Sequence, residues 1–376
     1  MEYAQERITT LHDLGDAAPP APTGEATVVV PMTERDHGAP ATERVFAELA
    51  ALDPVEVVVA LRAPRERVGP IHDWLAEFSL PLSTCWCGGP RIADRLTEAG
   101  LDGPGGKGRD LWLGLGVAIA ADPSYVVVHD VDAKAFHRRT VRRLLYPLFR
   151  GHAFSKGYYA RVESPAPREP RQLYGRLTRL FYEPLVESLA ARHDTREHPL
   201  LDYLAAFRYA LAGEFAATRE FAAALPLERS WGLEVGVLDT AFDRVGFAGT
   251  AQVDLGVHKH GHRSVSGAGG LASMSADVGG RLLRGVIGHG VDVEYAALRA
   301  DYRETAARYV DTYEAEAGFN GLSYDRDREE EQVDHYAEAV APPADAPPRL
   351  PAWQAAPLDP GSVAEAAAMD LAEVKR

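Results

Sequence analysis

The stretch Tyr125-Val126-Val127-Val128-His129-Asp130-Val131-Asp132 decides the fold. Its apolar, β-branched first half is typical of a strand that is buried on both faces of a parallel sheet. The strand ends in two carboxylates, Asp130 and Asp132, which point the same way in an extended chain. Ligands of open α/β sheets bind just outside the carboxyl ends of the strands. The stretch therefore predicts a parallel α/β sheet with two carboxylates at its ligand-binding edge.

This pair of carboxylates suits a divalent cation that carries a diphosphate. Mg²⁺ and Mn²⁺ take oxygen ligands and commonly join a carboxylate to phosphate groups. An Asp-x-Asp pair also occurs by chance on many protein surfaces, where it is solvated or caps the next helix. The apolar strand that leads into this pair favours the metal-binding interpretation.

Strand and helix patterns alternate on both sides of this stretch. Upstream, β-branched runs predict strands at residues 26–30 and 55–61, and helical periodicity predicts helices at 41–52 and 67–78. Such alternation is typical of a mostly parallel sheet with helices on both faces. Downstream, the same patterns predict strands at 158–162 and 250–257, and helices at 109–121, 140–149, 172–189, 231–245 and 291–318.

A glycine-rich loop, Gly103-Pro104-Gly105-Gly106-Lys107-Gly108, stands directly before the predicted helix at 109–121. Glycines let the backbone approach an anion closely, and a helix N-terminus favours negative charge. Lys107 adds a positive charge. No Ser or Thr follows this lysine, which excludes a P-loop kinase. A flexible turn with a solvated lysine is the alternative.

Three histidines, His258, His260 and His262, alternate after the strand predicted at 250–257. An imidazole from this run can join the two carboxylates as a metal ligand. A zinc site of three histidines is also open, although the His-Glu-x-x-His motif is absent. Surface histidines in a loop are the alternative for each one alone.

Composition excludes several classes of protein. The net charge of −15 opposes binding to a nucleic-acid backbone. No apolar run is long enough to span a membrane, and the N-terminus lacks the layout of a signal peptide. The two cysteines, Cys85 and Cys87, cannot form a disulfide framework or complete a zinc set. We therefore expect a cytoplasmic protein with no nucleic-acid partner and no membrane span.

An ordered set of motifs resembles the retaining glucosyl-3-phosphoglycerate synthases, glycosyltransferase family 81. The resemblance covers roughly residues 26–290, and the mannosylglycerate synthases share much of it. The matching segments are Gly106-Lys107-Gly108, Asp130-Val131-Asp132, the residues 211–220 with Gly213-Glu214-Phe215, the residues 232–236 with Glu234, the residues 239–246, and the residues 251–260 with His260.

This resemblance implies the GT-A fold, an α/β fold with a Rossmann-like, mostly parallel sheet and helices on both faces, here with a C-terminal helical extension. We expect an N-terminal extension at 1–25 and a nucleotide-sugar-binding half at 26–165. The rest divides into an acceptor-binding half at 166–290, a helical extension at 291–340, and a Pro/Ala-rich linker and tail at 341–376.

The resemblance also implies a role for each matching residue. Asp132 and His260 hold the metal, Mg²⁺ or Mn²⁺. The implied catalytic residues are Asp132, Glu234 and Lys107. The implied donor-binding residues are Pro31, Thr33, Glu34, Lys107, Asp130, Glu214 and Glu234. Gly175, Arg176 and Thr178 match the segment that holds the phosphate of the acceptor, and a cationic fork with a hydroxyl at a helix start suits an anion.

Structural alternatives and departures from the family pattern stand beside these roles. Glu214 and Glu234 are alternatively buried acids paired with an arginine such as Arg219 or Arg244. The donor loop reads Pro-Met-Thr-Glu-Arg from residue 31, where the family has Pro-Ala-Leu-Asn-Glu-Glu. The next strand ends in Leu-Arg-Ala at 61–63 in place of an Asp-Ser or Asp-Gly pair, and residue 258 is His where an arginine is common. These changes leave the donor base and the hexose open.

The implied activity is metal-dependent transfer of a hexose, with glucose favoured, from a nucleotide sugar to the 2-hydroxyl of 3-phosphoglycerate, with retained configuration. UDP-glucose is the expected donor, a GDP-sugar the alternative, and the product a precursor of a compatible solute. Three further functions stay open: mannosyl transfer from GDP-mannose to glycerate or phosphoglycerate, a family 2 transferase reaction with another acceptor, and non-catalytic binding of a nucleotide sugar.

The resemblance further suggests a homodimer. A stripe at helical spacing in the 291–318 helix offers an interface, or else packs onto the chain's own core. This stripe, called the tyrosine stripe below, consists of Tyr302, Ala306, Tyr309, Val310 and Tyr313.

Overall fold

The structure, a computed structural model, describes residues 6–164, 169–258 and 270–374. Its centre is a nine-stranded sheet in the order β1-β9-β6-β8-β5-β2-β3-β4, with β7 paired to β6 outside this path. The strands are β1 (Thr9–Leu11), β2 (Ala26–Thr33), β3 (Glu56–Arg62), β4 (Leu82–Trp86), β5 (Tyr125–Val128), β6 (Phe154–Glu163), β7 (Gln172–Leu173), β8 (Phe215–Thr218) and β9 (Thr250–His258).

Strand direction decides which side chains meet at one edge of this sheet. β5 runs parallel to β2, and β6 runs parallel to β9. β8 lies between β5 and β6 and is antiparallel to both. The carboxyl ends of β2, β3, β5, β6 and β9 therefore share one edge, where β8 begins. We call this edge the carboxyl edge.

Helices cover both faces of the sheet, as predicted. On one face Phe46, Ile71 and Leu144 are fully buried against alternate residues of the strands, and on the other Trp112 is fully buried. The helices are α1 (Pro40–Ala50), α2 (Arg65–Leu75), α3 (Pro90–Glu98), α4 (Lys107–Ala120), α5 (Arg139–Phe149), α6 (Glu183–Arg192), α7 (Pro199–Ala205), α8 (Arg219–Ala223), α9 (Leu233–Val245), α10 (Leu271–Gly288), α11 (Tyr295–Phe319), α12 (Arg326–Ala337) and α13 (Pro360–Val374). None of the described helices is long and apolar enough to cross a bilayer.

Two sequence-based boundaries are wrong. β2 does not stop at Pro31 but continues to Thr33. The carbonyl of Val29 accepts a hydrogen bond from the amide of His129, directly after the end of β5. The nitrogen of Pro31, two residues further along β2, faces the same side of the strand. Because β5 has ended at that level, no backbone N–H is needed from residue 31. The long helix expected at 172–189 is instead the short strand β7, a π-helical segment at Leu177–Tyr182 and then α6. Strand β4 and helix α3 were not predicted.

The segment expected to be a linker after residue 341 is packed onto the body of the protein. Leu350 pairs with Leu227 through backbone hydrogen bonds. The rings of Trp353 and Trp112 stack with centroids 3.8 Å apart, and Trp353 donates to the carbonyl of Trp112 at 2.9 Å. On α13, Asp370 accepts from the backbone of Ile92 at 3.2 Å and so caps α3. The expectation of a free linker is therefore corrected for these residues.

The tyrosine stripe on α11 packs mainly inside the chain. Tyr302, Ala306 and Val310 are fully buried, and Tyr302 donates to the carbonyl of Leu180 at 2.6 Å. Of the two alternatives for this stripe, the structure favours packing onto the chain's own core. The homodimer stays a prediction, which this stripe does not support.

A half-buried carboxyl beneath α11, that of Glu183, is expected to make the stability of the fold depend on pH. Burial raises the pKa of Glu183 to about 7, although the hydroxyl of Tyr313 at 3.0 Å and the charge of Arg179 lower it. A carboxyl with a raised pKa binds more protons in the folded chain, so its contribution is full below its ordinary pKa and is lost as the pH rises through about 7.

We expect Glu183→Gln to raise the thermal unfolding midpoint at pH 8 and to change it less at pH 5. The glutamine retains an acceptor for Tyr313 and removes the charge that burial opposes. Unfolding midpoints of both proteins at the two pH values measure this. An equal shift at both pH values would contradict the raised pKa.

Candidate active site

The carboxyl edge brings together acidic and basic residues from four elements. Asp130 and Asp132 follow β5, and Glu214 directly precedes the antiparallel β8. Lys107 is the first residue of α4, and Glu234 lies in the first turn of α9. Residues that are more than 100 positions apart in the sequence thus meet at the place predicted from the Asp-x-Asp strand.

Lys107 connects two of the predicted carboxylates. Its Nζ lies 2.9 and 3.0 Å from the two oxygens of Asp130 and 3.6 Å from Oε1 of Glu234. Burial alone lowers the pKa of Lys107, but Asp130, Glu234 and Glu214 outweigh it and raise this pKa above the ordinary value. Lys107 therefore stays charged, at a helix N-terminus that itself favours anions.

Gly213 is required where these groups meet. A Cβ at this position would lie 2.6 Å from Oδ2 of Asp130 and 3.0 Å from Nζ of Lys107. Any side chain would push the ion pair apart. The Gly-Glu-Phe motif is thus explained by close packing of residues 213 and 214 against the Lys107–Asp130 pair.

Beneath this pair lies a buried lysine that the sequence analysis missed. Lys156 of β6 is 1% exposed and donates from Nζ to the carbonyl of Ala212. It lines a small cavity together with Lys107, Gly213 and Glu234. Burial lowers the pKa of Lys156 to about 8, while Glu234 and Glu214 act to raise it.

Glu214 is fully buried near these lysines. Its backbone carbonyl accepts from Gly157 at 2.9 Å, which fixes the start of β8 against β6. Because Glu214 is completely buried, the structure favours a role in balancing the charges of Lys107 and Lys156 over direct contact with the donor sugar. In place of the pairing with Arg219 that was one structural alternative for Glu234, Glu234 pairs with Lys107, and Arg219 pairs with Asp122.

The predicted acceptor residues lie at the start of the π-helical segment. Gly175 has a φ of +77°, which favours glycine. Its carbonyl accepts hydrogen bonds from the amides of Thr178 and Arg179, and this turn begins the helical segment. Arg176 donates from Nε to Glu329 of α12, and Arg179 contacts the same carboxylate at 2.9 Å. Thr178 is 1% exposed. Glu329, which the sequence analysis missed, therefore fixes the guanidinium of Arg176.

Two tyrosines connect this acceptor segment to the carboxylates. The rings of Tyr159 and Tyr209 lie 4.8 Å apart, and an ideal Cβ on Gly175 would lie 2.4 Å from the hydroxyl of Tyr209. Tyr159 is close enough to Glu214 and Asp130 for both to raise its pKa, after burial as the largest cause. The acceptor segment and the carboxylates are thus parts of one site.

At the donor-loop end of β2 the three predicted residues have different environments. Pro31 is half-buried in the strand, beside the level at which β5 ends. The amide and the hydroxyl of Thr33 both donate to Asp36 at 2.8 Å, and Glu34 is exposed. The neighbouring β3 ends in Arg62, whose Nε lies 3.0 Å from the buried Asp110.

The metal ligands predicted from the sequence are only partly described. Asp132 lies at the carboxyl edge, where an oxygen donor fits Mg²⁺ or Mn²⁺. His260 and His262 lie outside the described residues, as does the side chain of His258. Within the described ranges, one trio of ligand-type side chains lies close together: Asp239, Asp243 and His289. His289 lies 3.2 Å from Asp239 and 3.4 Å from Asp243, and Asp239 also pairs with Arg281. Structural pairing is the simpler interpretation of that cluster.

Sequence comparison assigns this chain to a family. No family model matches it. The glucosyl-3-phosphoglycerate synthase of Methanococcoides burtonii is 31% identical over 90% of this chain and 88% of the relative. The enzyme of the same name from Persephonella marina is 32% identical over 83% of this chain and 79% of the relative.

Comparison with solved structures agrees. The glucosyl-3-phosphoglycerate synthase of Mycobacterium tuberculosis, crystallised with Mg²⁺ and UDP, has a TM-score of 0.53 and 26% identity over 76% of this chain and 88% of its own. A crystal of that enzyme with Mn²⁺, UDP-glucose and phosphoglyceric acid gives a TM-score of 0.54 and 25% identity over 76% of this chain and 89% of its own. This chain therefore belongs to the glucosyl-3-phosphoglycerate synthases, a family of glycosyltransferases with the GT-A fold.

Proposed function

We propose that the chain transfers glucose from UDP-glucose to the 2-hydroxyl of 3-phosphoglycerate with retained configuration, using Mg²⁺ or Mn²⁺. The observation that carries the proposal is the Lys107–Asp130–Glu234 cluster at the carboxyl edge, which the tyrosine pair connects to the acceptor segment. Solved relatives that contain UDP-glucose, phosphoglyceric acid and Mn²⁺ support the choice of substrates. We further propose that the anionic product serves compatible-solute synthesis.

The donor diphosphate is assigned to the N-terminus of α4. Lys107 and the first amides of this helix supply positive charge where the leaving diphosphate gains negative charge. When bound, the metal offsets charge on the same diphosphate, and Asp132 and His260 are the residues proposed to hold it. Glu234, whose carboxylate lies 3.6 Å from Nζ of Lys107, is proposed to accept hydrogen bonds from the donor sugar.

Retention requires attack from the face that the diphosphate leaves. Glu214 is fully buried and cannot serve as the carboxylate nucleophile of a double displacement. We therefore propose same-face substitution. The bond from the anomeric carbon to the diphosphate oxygen breaks, the bond to the 2-hydroxyl oxygen forms, and the hydroxyl proton passes to the departing phosphate oxygen.

A guanine nucleotide is the alternative donor, favoured by one observation. β3 ends in Arg62, whose side chain is about half exposed and is held by Asp110. A guanidinium can pair with the O6 and N7 edge of guanine. A screen of UDP- and GDP-linked glucose and mannose against 3-phosphoglycerate and glycerate, with Mg²⁺ or Mn²⁺, tests both proposals through the mass of the product. No transfer from any of these donors would contradict the proposed function.

Arg176→Ala is expected to raise the KM for 3-phosphoglycerate by about tenfold or more, because a hydrogen bond to a charged group contributes about 1.5–3 kcal/mol. The KM for the donor should change little. Steady-state kinetics with both substrates measure this, with Arg171→Ala, an exposed arginine nearby, as the matched control. If the same variant loses as much activity toward unphosphorylated glycerate, Arg176 does not bind the phosphate.

A further inference from the structure

A second arginine stands at the carboxyl edge. Arg161 lies near the carboxyl end of β6, in register with His258 of β9. Its carbonyl accepts a hydrogen bond from the amide of Tyr174 at 2.8 Å, directly before Gly175. Strand pairing therefore places Arg161 between the end of β9 and the start of the acceptor segment.

Tyr209 lies close to the side chain of Arg161: burial lowers the pKa of Arg161, and the neighbouring Tyr209 and Tyr159 outweigh burial and raise this pKa. The hydroxyl of Tyr209 is also the group that a Cβ on Gly175 would meet at 2.4 Å. Arg161 and the Gly175–Arg176 turn thus share Tyr209 as a common neighbour. Tyr209 therefore lies beside both Arg161 and the acceptor segment.

Charge balance distinguishes Arg161 from the other arginines of this region. Arg176 and Arg179 are both paired with Glu329. Over residues 6–164, 169–258 and 270–374, no carboxylate lies within ion-pair distance of Arg161, and Asp132 is near enough to contribute to its raised pKa. An arginine stays charged at any working pH. A half-buried guanidinium beside a neutral phenol can receive an anionic ligand.

The proposed acceptor has two anionic groups, a phosphate at one end and a carboxylate at the other, with the reacting 2-hydroxyl beside the carboxylate. We propose, resting on the proposed function, that Arg161 is a second acceptor-binding residue, which takes the carboxylate while Arg176 takes the phosphate. Two fixed cations determine which end of the acceptor faces the donor sugar and so select the 2-hydroxyl.

The test compares two ligands that differ in the carboxylate: 3-phosphoglycerate and glycerol 3-phosphate. Their Kd values are measured by calorimetry with UDP and Mn²⁺ present, for the wild type, Arg161→Gln and Arg171→Gln. Arg161→Gln should raise the Kd of 3-phosphoglycerate roughly 10- to 100-fold and that of glycerol 3-phosphate less than about threefold. Arg171→Gln, at an exposed position, should change neither. Arg161→Lys, which keeps the charge, should recover part of the preference for 3-phosphoglycerate.

The outcomes separate this inference from the proposed function. An equal change for both ligands in Arg161→Gln, or no change for either, overturns the carboxylate role while wild-type transfer to 3-phosphoglycerate still stands. If Arg161→Gln does not fold, Arg161→Lys decides the matter. A ratio of the two Kd values identical to that of the wild type, whether or not both affinities fall, overturns the role. A wild type that neither binds nor glycosylates 3-phosphoglycerate overturns both proposals.

Discussion

Asp132→Asn is expected to lower metal-dependent glycosyl transfer by about 100-fold or more while the chain remains folded. Asp132 follows β5 in a turn at the carboxyl edge and is only half-buried, so the loss of its charge leaves the core intact. The amide keeps the shape of the carboxylate and removes the anionic oxygen that a hard cation prefers. Initial rates over a Mn²⁺ titration, started from chelator-treated enzyme, measure the effect.

Asp122→Asn is the matched control at the other end of β5. Asp122 has a φ of +56°, which asparagine tolerates, and its side chain is 79% exposed. This variant should keep the wild-type rate and the wild-type dependence on Mn²⁺. A near-normal rate for Asp132→Asn in metal-free buffer would refute the metal role of Asp132.

The fold could be predicted largely from β5 and its surroundings. The β-branched run at 125–128 and the alternation before it indicated a parallel sheet, and β2, α1, β3 and α2 were found near their observed bounds. The short strand β1 was not predicted. β4 was missed because Leu82–Trp86 lacks β-branched residues apart from Thr84, and its cysteines were considered only as ligands. Pro31 was taken as the end of β2 because a proline cannot donate a backbone hydrogen bond to a neighbouring strand. The sequence alone cannot show that the neighbouring strand, β5, has already ended at that level.

The site was predictable where motifs marked it and not where strand pairing created it. Lys107, Asp130 and Glu234 were found from glycine-flanked or paired acidic motifs. Lys156 and Arg161 lie on a strand with no motif, and only the pairing of β6 with β8 and β9 brings them to the carboxyl edge. One usable signal was the presence of charged residues inside a strand otherwise rich in tyrosine and apolar side chains.

The C-terminal region shows a different limit. A Pro/Ala-rich composition at 342–360 predicted a linker. Composition cannot show that the ring of Trp353 stacks on Trp112 of α4. Glu329 likewise lies in a helix rich in charged residues, where no motif distinguished it from its neighbours. The role of Glu329 depends on contacts that are distant in sequence, since its carboxylate binds Arg179 and Arg176, which lie 150 and 153 residues earlier.

Lys107→Met is expected to reduce kcat by about 100-fold or more and to weaken UDP binding less. Nζ of Lys107 lies within 3.0 Å of both oxygens of Asp130 and 3.6 Å from Glu234. Removing this charge takes away stabilisation of the leaving diphosphate and leaves two facing carboxylates that repel it. The diphosphate gains charge as its bond to the sugar breaks, so the loss should be larger in the transition state than in the bound donor.

Lys134→Met is the matched control. Lys134 is close in sequence to Asp130, its side chain is 42% exposed, and it pairs with Glu163. Measurements of kcat and of the Kd for UDP with Mn²⁺ separate the two effects in each variant. Methionine keeps the length of the apolar part of the side chain, so a folded Lys107→Met variant reports the charge. If its UDP binding is lost while kcat at saturating donor is unchanged, Lys107 only anchors the donor, because an interaction that acts equally in ground and transition states leaves kcat unchanged.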